Sequence, residues 1–171
     1  VARYYKTPLY EIKLNFPWLK KSSLVDKNKK IPNKKYEEIL KGSIPSTYVP
    51  GRNLVFASIL ISYAHAVKAD AVILGPNAID YSGYPDCRPE FFWAMQNVLF
   101  NGSSKAHPIL EVPLGDMDKS DVINLGKRLK VPFKDTWSCY SRSDDPCGNC
   151  LACNVRKEGF KDVGMSDPLF S

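Results

Sequence analysis

The sequence predicts an α/β fold built on a parallel sheet, and three observations carry that expectation. Two short, continuously apolar runs, Asp70–Gly75 (DAVILG) and Pro108–Leu114, have the pattern of parallel strands buried on both faces. Helix-like segments precede, separate and follow them, and strand–helix alternation of these lengths is the signature of a parallel sheet. The 171 residues, 44% apolar and 25% charged, have an ordinary globular composition and one domain's length. Residues 1–171 are therefore expected to form a single α/β domain, with about 136–171 as a metal-binding subregion.

Along the chain, Tyr10–Phe16 (YEIKLNF) alternates apolar and polar side chains and is expected to be a strand. A Lys-, Asn- and Pro-containing loop follows, then a short helical turn over Tyr36–Lys41. After the Pro- and Gly-containing loop Ser46–Asn53 (STYVPGRN), an apolar helix is expected from about Asn53 to Lys68. Its apolar residues cover most of its circumference, which predicts burial on several sides. Pro89 suits the first turn of a second helix, with Glu90 placed to complement the dipole. Asp118 has the character of an N-cap and Asp121 follows three residues on, so a third helix should run to about Lys130. A last helix is expected over Leu151–Val163.

Cys139, Cys147, Cys150 and Cys153 read C-x7-C-x2-C-x2-C (CYSRSDDPCGNCLAC). Each C-x2-C step lets two sulfurs reach one ion from a tight turn, and Gly148 supplies the positive φ such a turn often needs. A closed four-cysteine set with no open position suits structural Zn2+. Two alternatives compete. A bacterial ferredoxin run would place another cysteine where Lys157 falls. Disulfides would require an oxidising compartment, and the chain shows no secretory leader, so the cytoplasm is expected. No apolar run approaches membrane-spanning length.

The charge of +6 sits at the front: residues 1–42 carry a surplus of seven and the remainder a balance of −1. Such a segment attracts phosphate, but Lys20–Lys41 lacks the aromatic interleaving that base stacking needs, so nucleic-acid binding is not expected.

The chemically richest segment is Gly75–Arg88 (GPNAIDYSGYPDCR), leaving the carboxyl end of an expected strand, where ligands bind in such sheets. Asp80 and Asp86 can accept hydrogen bonds from a guanine-like donor edge. Tyr81 and Tyr84 offer flat faces, and Arg88 can hold a carboxylate or phosphate bidentately. The competing reading is a surface loop rich in turn formers. Arg52 and Asn53 lie at a helix start, which favours anions. Cys87 is either a reactive thiolate beside Arg88 or, more commonly for a lone cysteine, a small buried hydrophobe. His65 reads as a core histidine, and His107 has no evident partner.

Four segments in order resemble the QueC family of 7-cyano-7-deazaguanine synthases: STYVPGRN, then GPNAIDYSGYPDCRPEF, then KSDVINLG, then TWSCY with PCGNCLAC. The resemblance covers about Ser46–Leu169. It implies an ATP-pyrophosphatase-type, Rossmann-like parallel sheet with helices on both faces and strand order 3-2-1-4-5. Tyr10–Phe16 would be strand 3, Asp70–Leu74 strand 4 and Pro108–Leu114 strand 5. It also implies conversion of 7-carboxy-7-deazaguanine, ATP and ammonia to the nitrile, through nucleotide activation of the carboxylate and displacement by ammonia. ATP with Mg2+ would be the co-substrate. The loop Asp80–Arg88, with Arg52 and Asn53, would recognise the deazaguanine, while Gly75 and Lys119 would approach the nucleotide. No catalytic residue is implied, and a homodimer is one expected assembly.

One family feature is absent: no Gly-Gly pair occurs in the sequence, so the Ser-Gly-Gly-x-Asp-Ser phosphate loop has no counterpart. A phosphate cradle needs small residues so that backbone N–H groups can close on the anion. Strands 1 and 2 and that loop are accordingly expected on an N-terminal piece outside these residues. The alternative expectations are a catalytically silent, zinc-stabilised deazaguanine-binding module and, below it, an RNA-binding protein.

Overall fold

A computed structural model describes residues 1–19, 22–26, 28–33, 44–103 and 108–171. The expected turn at Tyr36–Lys41 and the surroundings of His107 lie outside the described residues. The described chain is α/β, with α1 (Arg52–Val67), β1 (Ala71–Ile73), α2 (Pro89–Gly102), β2 (Ile109–Glu111), α3 (Lys119–Arg128) and α4 (Leu151–Asp162) in that order. β1 and β2 pair in parallel, with Ala71 opposite Ile109, Val72 opposite Leu110 and Ile73 opposite Glu111. On the side of β2 away from β1, the Leu110 N–H donates to Gln96 Oε1 of α2 at 2.7 Å, so a helix side chain satisfies that edge donor. No described helix is long and apolar enough to cross a membrane.

The helix boundaries follow local chemistry. Pro89 opens α2 at its first turn. Asp118 and Asp121 form a reciprocal capping box at the start of α3. Gly51 precedes α1 at φ 68° and contributes no side-chain cap.

Two expectations are corrected. Tyr10–Phe16 is not a strand: no described segment pairs with it, and Tyr10 is 69% exposed, its ring resting 5.5 Å from that of Tyr63. Alternation alone does not make a strand where no ladder partner satisfies the backbone. Helix α1, apolar around its circumference, buries only Ala57 and Ala64 well, while Leu54, Phe56, Leu60, Tyr63 and Val67 are exposed. The described elements cover one side of it, through β1, α2 and the Pro85–Cys87 turn.

The C-terminal third packs tightly against α3. Gly159 of α4 permits this approach, since a Cβ there would lie 2.5 Å from Lys119 Cγ and 2.9 Å from Ile123 Cδ1. Phe160 of α4 meets Phe133 edge to face at 5.1 Å. Beneath them Arg156, 6% exposed, grips Asp167 with two parallel bonds, Nε to Oδ2 at 2.7 Å and Nη2 to Oδ1 at 2.8 Å. Its remaining donors reach Thr136 Oγ1 at 2.7 Å and the Phe133 carbonyl at 3.0 Å. One guanidinium thus ties α4, the 133–136 turn and the chain's last residues together.

This pair should be unequal to the exposed Lys161–Glu158 pair on the same helix. Asp167→Ala leaves a buried cation unpaired and should lower unfolding stability by about 3–5 kcal/mol. Glu158→Gln should change it by less than about 1 kcal/mol. Chemical denaturation of the two variants checks the contrast.

Candidate active site and metal centre

The loop leaving β1 folds back through two 3-10 turns, Ala78–Ser82 and Pro85–Cys87. Asn77 starts the first: its side chain accepts from the Ile79 N–H at 3.2 Å, and Asp80 Oδ2 accepts from the Asn77 N–H at 3.1 Å. The Ala78 N–H donates to the Met117 carbonyl at 3.0 Å, tying the loop to the segment that enters α3. The Tyr81 hydroxyl sits over Gly115, where a Cβ would come within 2.8 Å of it.

A cavity of about 580 Å³ opens between this loop, α3, α4 and the segment Thr136–Tyr140. Of the expected site residues, Asp80, Tyr84 and Lys119 line it; Asn77, Trp137 and Tyr140 line it too. Burial raises the Asp80 carboxyl above its ordinary value, opposed by Lys119 and Arg52. Burial also lowers the Lys119 ammonium, opposed by Asp80. A carboxyl and an amine lining one largely apolar cavity, each displaced toward neutrality, suit a ligand with both donor and acceptor edges.

Other expected residues take different places. Asp86 is 5% exposed, and its Oδ2 accepts from the Asn53 N–H at 2.9 Å. It therefore caps α1 from another loop, filling the role that Gly51 cannot. Asn53 returns the contact, its Nδ2 donating to the Asp86 carbonyl at 2.9 Å and lying 3.1 Å from Cys87 Sγ. Asp86 Oδ1 is buried without a hydrogen-bond partner among the described residues. Arg52, in the first turn of α1, places its guanidinium 6.0 Å from the Tyr84 ring. Arg88 is exposed and donates through Nε to the Tyr81 carbonyl at 3.1 Å, outside the cavity wall. Gly75 is exposed and also outside it. Burial, with Asp80 and Asp86 nearby, pushes the Cys87 thiol up to about 12, so it is a protonated buried group and not a reactive thiolate. His65 bonds through Nε2 to Ser103 Oγ at 3.0 Å, joining α1 to the end of α2.

The four cysteines converge. One ligand atom from each of Cys139, Cys147, Cys150 and Cys153 lies within 4.8 Å of the others. A tetrahedral ion with metal–sulfur bonds of about 2.3 Å separates sulfurs by roughly 3.8 Å, so the set fits one metal ion. Backbone N–H groups of Ser141 and Cys147 point at Cys139 Sγ, at 3.4 and 3.3 Å, and that of Cys150 points at Cys147 Sγ at 3.3 Å. Such donors favour the thiolate form that a cation requires. Gly148 has φ +71°, the left-handed conformation that the tight C-x2-C step demands. Lys157 Nζ donates to the Gly148 carbonyl at 2.7 Å, pinning the turn to α4.

Sequence reasoning missed Tyr140 and Trp137 as cavity residues. Their position beside Cys139 was the available signal, since a metal-held turn fixes its neighbours as well as its ligands.

The family model for "Queuosine biosynthesis protein QueC" matches residues 1–164. The chain is 41% identical to 7-cyano-7-deazaguanine synthase of Thermoplasma volcanium, over 99% of this chain and 70% of that protein. It is likewise 41% identical to the synthase of Oceanobacillus iheyensis, over 99% and 76% of the two chains, and 43% identical to that of Nostoc sp., over 86% and 66%. The chain belongs to the QueC family.

The raised Asp80 pKa has a consequence for stability. The folded state holds that proton more tightly than the unfolded chain, so the stability it contributes is lost as pH rises through the folded pKa. Asp80→Asn removes that cost and keeps an acceptor oxygen for Asn77. At pH 7 the variant should melt higher than the parent, by about 2–4 °C for each kcal/mol relieved. The difference should close below about pH 4, the unfolded value, where both side chains are neutral. Thermal melts at the two pH values check this.

Proposed function

We propose that this chain carries the deazaguanine site of a 7-cyano-7-deazaguanine synthase, which converts 7-carboxy-7-deazaguanine, ATP and ammonia to 7-cyano-7-deazaguanine for queuosine-type biosynthesis. The single observation behind this reading is identity of 41% sustained over 99% of the chain with enzymes of that name. The cavity supports it. A flat heterocycle would enter between Tyr84, Tyr140 and Trp137, and Asp80 would accept from its amino and ring N–H groups. Lys119, which lines the same cavity, would meet the substrate carboxylate or the nucleotide phosphate that activates it. Arg52 would add positive charge from the mouth of α1. Tyr81, Asn53, Asp86 and Arg88 would hold the loop in shape, and Asp86 Oδ1 is the acceptor most in need of a donor.

Activation answers a chemical need, because a free carboxylate is a poor electrophile. Joined to nucleotide through an acyl phosphate bond, its carbon accepts the ammonia lone pair and the nucleotide leaves, giving an amide and a released proton. Activating the amide oxygen in the same way lets the C–O bond break while the nitrogen loses both protons, giving the nitrile. Among the described residues no backbone cradle for triphosphate and Mg2+ is assigned.

Zn2+ is the ion proposed for Cys139, Cys147, Cys150 and Cys153, where it would hold structure and supply folding energy. On this reading residues 1–171 form one α/β domain of the ATP-pyrophosphatase type, with about 136–171 its zinc-binding subregion. The enzyme would act in the cytoplasm, where thiols stay reduced, and a homodimer is the proposed assembly.

Mass-spectrometric assay of the full-length protein with 7-carboxy-7-deazaguanine, Mg-ATP and ammonium should detect the nitrile and hydrolysed ATP. Asp80→Asn should lower kcat/KM by roughly 5- to 150-fold, the cost of about 1–3 kcal/mol for a mismatched buried acceptor. Substrate binding without any ATP-dependent product would instead support a silent binding module. Elemental analysis should find one zinc per chain, and Cys150→Ser should reduce both zinc content and folded yield. Iron with visible charge-transfer absorption would overturn the zinc assignment.

A further inference from the structure

Resting on the substrate reading above, we infer that Asn77 binds the 6-carbonyl of the heterocycle, so that Asn77 and Asp80 together select a guanine-type edge. Asn77 is 6% exposed and lines the cavity, as Asp80 does. The loop holds it between two anchored neighbours. The Leu74 N–H donates to the Glu111 carbonyl at 2.9 Å, and the Ala78 N–H donates to the Met117 carbonyl at 3.0 Å. Asn77 Oδ1 accepts from the Ile79 N–H at 3.2 Å, which fixes the orientation of the amide and leaves Nδ2 as its remaining donor. Asp80 Oδ2 accepts from the Asn77 N–H at 3.1 Å, which leaves Oδ1 as the remaining acceptor. Neither Nδ2 nor Oδ1 has a hydrogen-bond partner among the described residues, and neither is sealed off as Asp86 Oδ1 is. One short turn therefore offers the cavity a donor and an acceptor from two side chains bonded to the same backbone.

That pairing matches one kind of ring. A 7-deazaguanine presents a 2-amino group and a ring N–H, both donors, and beside them a 6-carbonyl acceptor. Asp80 takes the donors, and Asn77 Nδ2 takes the carbonyl. An adenine-type ring presents an amino group at position 6, so the amide donor would face another donor. Asn77 cannot turn its amide to suit that ring without giving up the Ile79 bond. A site built to hydrogen-bond its ligand rejects one that leaves its polar groups unpaired, far more strongly than an apolar pocket rejects a poor fit. Lys119 is a compact charge on a flexible stem, which suits the carboxylate or phosphate and reads no ring edge.

The test uses full-length, metal-loaded protein and two ligands, 7-carboxy-7-deazaguanine and its 6-thio analogue. The analogue keeps the 2-amino group, the ring N–H and the carboxylate, and replaces the 6-oxygen by a weak acceptor. Calorimetry should show the parent binding the oxo compound about fivefold more tightly, the equivalent of one hydrogen bond of about 1 kcal/mol. Asn77→Asp keeps an acceptor for Ile79 and replaces the donor by a second acceptor. Asn77→Ser keeps an N-cap oxygen and removes the amide, and it carries the test where Asn77→Asp does not fold. In either variant the preference for oxygen over sulfur should collapse. A general loosening of the turn, or the added charge of aspartate against the ligand carboxylate, acts on both ligands alike and would not move that ratio. An undiminished preference in the variants, or a parent that does not distinguish the two ligands, would overturn the inference while leaving the substrate reading in place. A parent that binds neither ligand would remove the substrate reading, and this inference with it.

Discussion

Four cysteine sulfurs drawn within 4.8 Å of one another constrain everything around them. As thiolates they would repel, and only a cation at their centre turns that concentration of charge into an attraction. A bound ion would fix a turn of otherwise irregular backbone between residues 139 and 150, which has no helix or ladder of its own. Helix α4 starts at this turn and carries Arg156 and Gly159 to the positions where they bind Asp167 and admit α3. The α3 surface so placed includes Lys119, and the turn itself carries Trp137 and Tyr140. The cysteine turn, α4 and α3 thus form one continuous part of the cavity wall.

The opposite wall depends on a second constraint of the same kind. Helix α1 begins after a glycine and lacks a cap of its own, so its free N–H groups need an acceptor from elsewhere. Asp86 supplies one, and in doing so fixes the Pro85–Cys87 turn against Asn53. Tyr84, immediately before that turn, is then held between Thr47, Tyr48 and Arg52. Helix capping and the convergence of the cysteines between them aim the aromatic and carboxyl groups.

Features governed by near neighbours were legible in the sequence. Both strands, the four main helices, the Asp118–Asp121 box and the cysteine convergence depend on spacing or on one or two adjacent residues. Asp86 shows the limit of that method. Its loop was legible, but its bond to Asn53, 33 residues earlier, requires the fold to be known. Arg88 has the chemistry of an anion ligand, and pattern alone does not show that its Nε also donates to the Tyr81 carbonyl. Tyr140 and Trp137 reach the cavity because the segment around Cys139 borders it, which spacing alone does not reveal. Tyr10–Phe16 has a strand's alternation, but strand formation needs a partner edge that pattern alone cannot supply.

The most direct measurement of this account is hydrogen exchange in the full-length protein before and after metal is withdrawn by a chelator. Amides of residues 139–153 should lose protection, and those of Val122 and Leu129 in α3, which packs on α4, should lose it with them, while Ile109 and Leu74 in the strand pairing keep theirs. Loss confined to residues 139–153, with Val122 and Leu129 as protected as before, would contradict the dependence of the α3 cavity wall on the cysteine turn.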